Sequence, residues 1–432
     1  MKCVVTCMTL AALVVLFTRP ALADDWLRFR GANGSGVISD GAFAAQWDDE
    51  TNIRWKTALP GPGASSPIVL GDRVYLTCYT GYGVDRENPG EPAALQRHLL
   101  AVDRNNGEIV WTATVPSAHD EDPYEGFITE HGYASSTPVT DGTQIYVFFD
   151  KTGVAAFDLD GKQVWLTNVG TLSDPYKWGG GASAMLAGDL LIVNAGNVGH
   201  AIVALRTSDG TEAWRIDDPE FTNCWGTPIL FEGDRTELVM AVPGRILGLD
   251  PVTGEELWFA ESPIDKTVCG SLVEEDGVVY AMGGRAGDAI GVRCGGDGDV
   301  TDSHVVWVAK LRSGIDTPVL ANGRLYWASG GRAYCADCED GQEIFKERLS
   351  DQPDTNEGGR TPPSYASPIV IGDKILMVSR SGNTHILAAE KEFKKLGENR
   401  LTEDEGPFHG TPAYSDGELF LRSDQFLYCI DE

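Results

Sequence analysis

The side chains of this chain that could bind or react stand outside its regular pattern. His131, Trp178, Asn223, Trp225, Asp316, Tyr365 and His409 form one set of titratable, amide and aromatic groups. Imidazole and carboxylate can move protons, an amide can fix a polar group, and an indole face can stack on a planar ligand. A second set is Asp297, Asp299 and Asp302, in the stretch Cys294-Gly-Gly-Asp-Gly-Asp-Val-Thr-Asp302. Carboxylates on a flexible glycine-rich loop are hard oxygen donors of the kind Ca²⁺ takes, although the EF-hand spacing and its terminal Glu are missing. The sequence holds no G-x-S-x-G, no H-E-x-x-H, no phosphate-binding loop and no zinc spacing.

What must position these residues is a repeat. A Ser/Thr-Pro pair opens each unit: Ser66-Pro67, Thr137-Pro138, Thr227-Pro228, Thr317-Pro318, Ser367-Pro368 and Thr411-Pro412, with degenerate copies at Ser183-Ala184 and Ser271-Leu272. A closing aromatic also recurs: Trp55, Trp111, Trp165, Trp214, Trp258, Trp307, Phe345 and Phe393. Between them stand β-rich runs and turn pairs such as Gly71-Asp72, Asn106-Gly107 and Asp340-Gly341. Four short strands per unit, at a period of about 45–50 residues, predict propeller blades. The two series are offset. Trp55 precedes the first Ser-Pro, and the last unit ends at Leu427-Tyr428-Cys429-Ile430 without an aromatic closer. The strand around Ile53–Thr57 is therefore expected to supply the last blade's outer strand and hide two open edges. The expectation is an all-β, eight-bladed propeller of four-stranded antiparallel blades, one domain over residues 24–432. The eight aromatics are read as structural wedges between blades.

Composition narrows the partners. The net charge of −30 argues against nucleic acid or an anionic membrane surface. Lys2, an apolar run from Leu10 to Phe17 and Ala21-Leu22-Ala23 read as a cleaved signal peptide over residues 1–23, so the chain is expected to be exported, periplasmic or extracellular. No stretch reads as transmembrane, and a soluble monomer is expected. Nine Cys become seven after processing. Cys335-Ala-Asp-Cys338 lacks the following His of a haem site and spans a strand end and turn. Cys224 and Cys269 occupy similar places in adjacent units, where a disulfide is possible.

Ala101-x-Asp103-x-x-x-Gly107-x-x-x-Trp111 and Gly248-x-Asp250-x-x-x-Gly254-x-x-x-Trp258 resemble the tryptophan-docking motif of pyrroloquinoline-quinone (PQQ)-type propellers. Trp26-x-x-Phe29-Arg30-Gly31-x-x-Gly34-x-Gly36 and the stretch from Gly296 to Trp307 are similar to exported PQQ-like repeat proteins of the planctomycete type. The resemblance implies the eight-bladed ring. The repeat is also similar to that of two related groups, the quinoprotein alcohol dehydrogenases and the BamB-type outer-membrane-assembly scaffold. The dehydrogenases carry an adjacent Cys pair under the quinone, which this sequence lacks, and their Ca²⁺ ligands and catalytic Asp find no residue-by-residue match. The BamB-type scaffold carries a lipidated Cys that is also missing.

Long insertions share one face: 80–96, 116–133 and 347–365. Loops on a rigid ring are where function concentrates. The reading is a non-catalytic binding module for a protein, peptide or glycan on that face, with the first residue set ringing the channel mouth. The alternative is a PQQ- and Ca²⁺-dependent alcohol oxidoreductase, with Asp316, Trp225 and Asn223 at its centre.

Overall fold

The computed structural model describes residues 25–31, 33–283, 286–350 and 364–432; the segment read as a signal peptide lies outside them. Eight blades follow one another along the chain, each with four antiparallel strands in simple up-and-down order, and two of the sheets gain a short fifth strand paired in parallel. Blade 1 runs Ile68–Leu70, Arg73–Thr80, Gln96–Asp103 and Ile109–Pro116. The runs alternate or are fully apolar because a blade packs on a neighbour through both faces. Blade 8 has only three strands of its own. Ile53–Ala58 completes it by pairing antiparallel with Phe426–Ile430, from Ile53 opposite Ile430 to Ala58 opposite Phe426. This is the ring closure expected from the offset of the two series.

Each blade carries a register shift in its outer strand, beside the closing aromatic in seven of them, as at Ala101/Val102 opposite Trp111; in blade 7 the shift lies beside Gly397, and Phe393, read from the sequence as the closer, lies ahead of the strand Lys395–Asn399. A bulge there bends and twists the outer strand. The indole then reaches the next blade. Nε1 of Trp55, Trp111, Trp165, Trp214 and Trp307 donates to Arg104, Leu159, Thr207, Pro251 and Cys338 carbonyls respectively. The turn glycine is pressed against the same ring: a Cβ on Gly210 would stand 2.5 Å from Trp165. Trp258 departs from the pattern. In blade 5 the Asp-x-x-x-Gly turn is replaced by the Cys294–Asp302 insertion, and Trp258 Nε1 donates instead to Glu237 Oε2 at 2.8 Å. Phe345 and Phe393 pack on each other at 5.5 Å.

At the channel the blades are joined by hydroxyls. Ser66 N–H donates to Thr137 Oγ1, Thr137 N–H to Ser183 Oγ, Ser183 N–H to Thr227 Oγ1, and Thr227 N–H to Ser271 Oγ. Ser271 N–H donates to Thr317 Oγ1, Thr317 N–H to Ser367 Oγ, Ser367 N–H to Thr411 Oγ1, and Thr411 N–H back to Ser66 Oγ. The eight bonds, 2.9–3.2 Å long, form a closed circle.

The segment beginning at Asp25 fills the channel below that circle. Trp26 bridges to Val69 of blade 1, Leu27 C=O accepts from Thr140 N–H of blade 2, and Val37–Ile38 pairs parallel with Val370–Ile371 of blade 7. Arg30 is 1% exposed and donates to the carbonyls of Thr317, Pro318 and Pro368, and to Gly34 and Ser35 of its own segment. Gly36, at φ +74°, lies against this guanidinium, so a Cβ would meet Nη2 at 2.9 Å. The W-x-x-F-R-G-x-x-G-x-G stretch is thus a channel plug.

Because each hydroxyl satisfies a buried N–H, Thr137→Val leaves Ser66 N–H unpaired. The expected cost is about 1–3 kcal/mol in urea unfolding, with Thr137→Ser close to wild type; equal stability of the Val variant would show the circle to be incidental.

Candidate functional site

A cavity of about 470 Å³ sits where the inner strands begin. Its throat is the circle of eight hydroxyls, all of which line it, and Phe29 of the plug stands at its base. The plug thereby turns an open channel into a blind pocket.

Five residues of the first set meet here: His131, Trp178, Trp225, Tyr365 and His409. His131 ends the short helix Ile128–His131. Its Nε2 lies 2.7 Å from the Trp178 carbonyl, which can only accept, so that nitrogen carries the proton. Nδ1 then accepts from Ser135 Oγ at 2.7 Å. Burial lowers the His131 pKa, so the ring is neutral. Tyr365 leans between the two imidazoles, 5.8 Å from His131 and 4.8 Å from His409. His409 is 2% exposed, and neither ring nitrogen makes a hydrogen bond of normal geometry among the described residues. Burial, then the positive charge of Arg380, push its pKa well below the usual imidazole value.

The two indoles stack on each other at 5.1 Å and 27°, and Tyr176 extends the stack on Trp178 at the same spacing. Phe127 tilts against Trp178. Trp225 Nε1 is held by the Gly179 carbonyl at 2.7 Å. The aromatics form a ledge on one wall rather than two jaws around a planar guest.

Buried polar bonds hold that wall. Asp174 accepts from the N–H groups of Tyr176, Trp178 and Gly179. Arg97 grips Glu121 of the 116–133 insertion with two bonds of 2.8 and 2.9 Å, both side chains almost wholly buried. Its Nε also donates to the Tyr133 carbonyl. Lys151 pairs with Asp122 at 3.1 Å. Tyr79, Tyr82, Tyr124 and Tyr133 pack the 80–96 insertion onto the 116–133 one.

The model of the family described as outer membrane protein assembly factor BamB matches residues 93–223, 150–296 and 199–432. The chain belongs to this family. Among solved structures, BamB from Moraxella catarrhalis shares its fold at 14% identity and TM-score 0.61, over 88% of this chain and 97% of that one. Quinohemoprotein alcohol dehydrogenase from Comamonas testosteroni aligns at 12% identity and TM-score 0.63, over 95% and 80%. The computationally designed Ika8 protein aligns at 10% identity and TM-score 0.55, over 87% and 99%. At such identities the likeness is one of fold. No curated protein sequence matches the chain.

In this BamB-family ring, the other sequence candidates lie elsewhere. Asn223 is adjacent to the cavity but not in its lining; at φ +53° its carbonyl accepts from Val268 N–H. Asp316 points away from the cavity: Oδ2 accepts from Ala328 N–H of its own blade at 3.2 Å. The three loop aspartates do not converge. Asp297 pairs with Arg235, Asp299 caps Thr301, and Asp302 is in the short helix Thr301–His304. Gly298–Asp299 instead pairs parallel with Trp258–Phe259 as a fifth strand covering the edge of blade 4. Among the described residues, no group of three or more His, Cys, Asp or Glu is placed to hold a metal. All seven described cysteines are free thiols, Cys224 and Cys269 included; Cys224 Sγ faces the Ala241 carbonyl and Asn194 Nδ2. No described helix is long and apolar enough to cross a membrane.

The sequence reading missed Phe29, Phe127 and the ring hydroxyls as lining residues. The hydroxyl series was visible as a repeat, and its fixed place before each inner strand was the available signal.

Two predictions follow from the buried charges. Arg97→Met strands Glu121 and should cost about 3–5 kcal/mol, with new protease cleavage in 116–133; adding Glu121→Leu should recover most of the loss. Asp316 is pushed up to about 7 by burial, with the Arg30 charge only partly opposing. An unfolded aspartate titrates near ~3.9. Below about pH 4 both states are protonated; from there to about 7 the unfolded chain ionises first, so native stability falls as pH rises. Asp316→Asn should therefore raise the melting temperature at pH 8 and leave it nearly unchanged at pH 4.

Proposed function

We propose that the chain is an exported, non-catalytic binding module of the BamB-type family, whose ligand enters the blind pocket at the channel mouth. One observation carries this: every described side chain lining the pocket is uncharged at neutral pH, with no carboxylate among them. A hydrolase or dehydrogenase needs a base or nucleophile facing its substrate. Among the described lining residues the imidazoles are the only bases, and the Cys269 thiol beside them is kept protonated by burial. His131 is tied by both nitrogens, and no carboxylate orients His409, which burial holds neutral, among the described residues. The family name supports a role in holding a partner, and protein, peptide and glycan ligands all suit a rigid ring with loops on one face.

The oxidoreductase reading finds less support. A quinone with Ca²⁺ would need hard oxygen donors at the pocket wall. Asp316 turns into its blade, Asn223 stands outside the lining, and the indole stack leaves no slot between Trp178 and Trp225. These residues do not fit the group.

Calorimetry with PQQ and Ca²⁺ at roughly 10–100 µM, paired with dye reduction by simple alcohols, tests the choice. The expected outcome is neither heat nor turnover. Micromolar PQQ binding that is abolished by Trp225→Ala would overturn the binding-module reading.

A further inference from the structure

We propose that the blind pocket holds an uncharged sugar residue, the end or a branch of a neutral glycan. This rests on the binding-module reading and names its ligand.

The polar groups of the pocket share one property. Each ring hydroxyl accepts one backbone N–H, and none of the eight donates to a protein acceptor among the described residues. A hydroxyl has one donor and two lone pairs, so each still offers one donor and one acceptor site. Ser313 is also in the lining, and its buried Oγ makes no hydrogen bond among the described residues. His409 is held neutral by burial, with the Glu130 backbone beside its ring, and adds no charge to the wall. The pocket therefore presents groups that both give and take hydrogen bonds.

That selects among ligands. A carboxylate or phosphate would use only the donors, and would give up its hydration with no cation in the lining. An ammonium would use only the acceptors and meet no carboxylate. A sugar hydroxyl gives and takes at one atom, as the pocket's groups do. The remaining wall is aromatic: Phe29 at the base, with Phe127, Trp178, Trp225 and Tyr365 around it. A pyranose has flat faces of polarised C–H groups that suit the negative face of an aromatic ring. Apolar faces with hydroxyl edges match apolar walls above a hydroxyl throat. The volume, about 470 Å³, falls among pockets that enclose a small ligand.

The mature chain can be titrated with neutral oligosaccharides built from glucose, N-acetylglucosamine, xylose and mannose, following Trp fluorescence and heat. Uronate-containing oligosaccharides, inorganic phosphate and unrelated peptides form the other arms. The expected result is saturable binding of at least one neutral saccharide, with an acidic counterpart at least about tenfold weaker. Trp225→Ala should weaken it by tenfold or more. Ser313→Ala removes a hydroxyl that makes no hydrogen bond among the described residues, so it should weaken binding several-fold with an unchanged melting temperature. Silence of every neutral saccharide up to about 10 mM overturns the inference. So does tighter binding of the acidic sugar or phosphate, or binding of peptides alone, which would leave the binding-module reading standing. PQQ binding with alcohol-dependent dye reduction would overturn both.

Discussion

The circle of hydroxyl-to-amide hydrogen bonds around the channel sets the spacing of everything else. Each blade's Ser or Thr accepts from the blade before it, and the last bond returns to Ser66. A buried N–H on a channel wall has no sheet partner, and leaving it unpaired is costly. The hydroxyl of the next blade removes that cost at the one place where eight blades converge. Six of the eight ring residues are followed by proline, which has no N–H to strand at the next position. Inner strands are thus held in phase by small side chains, while the outer strands are held by indoles reaching the next turn.

A ring of this size leaves a hole, and the chain fills it with its own N-terminal segment. The hole is walled by carbonyls, which explains the choice of arginine. Arg30 donates to five carbonyls and Arg422 to Ser65 and Thr77 carbonyls. Neither makes an ion pair with a carboxylate among the described residues. A guanidinium has five donors in a planar fork, so it can satisfy several backbone acceptors at once where an ammonium could not. The glycines of the motif follow from the same packing, since a side chain at Gly36 would strike the Arg30 head group.

The ring was legible in the sequence because a repeat states the same local rule eight times. Closure by Ile53–Ala58 was legible because the two series were out of step by one. The pocket was legible in part. Thr317 lines the cavity while its neighbour Asp316, in the bend before the inner strand Val319–Ala321, accepts from Ala328 N–H of its own blade; a one-residue difference in a loop moves a side chain out of the site, and spacing alone does not show it. Asn223 is carried off by a left-handed backbone turn, which spacing alone does not reveal. Phe29 was hidden for another reason. The plug around it makes its contacts with residues roughly 40 to 340 positions away, as Trp26 does with Val69 and Arg30 with Pro368, and no local pattern encodes where such a segment lies. The aspartate loop read as a metal site because carboxylates on glycine-rich loops look alike; in the fold it covers a sheet edge.

Separation of these roles has a consequence for recognition. The throat hydroxyls are bound to the architecture, since each one carries a backbone hydrogen bond between blades. The aromatic ledge is not. Trp178 rides on a loop held by Asp174, and Phe127 on an insertion held through Arg97 and Glu121. A change in the ledge can alter which ligand fits without opening the ring, whereas a change in the throat weakens the ring whatever it does to the ligand. Specificity can therefore be varied at the rim, while the hydrogen-bonding character of the pocket, neutral and two-sided, is fixed by the need to close eight blades into a circle.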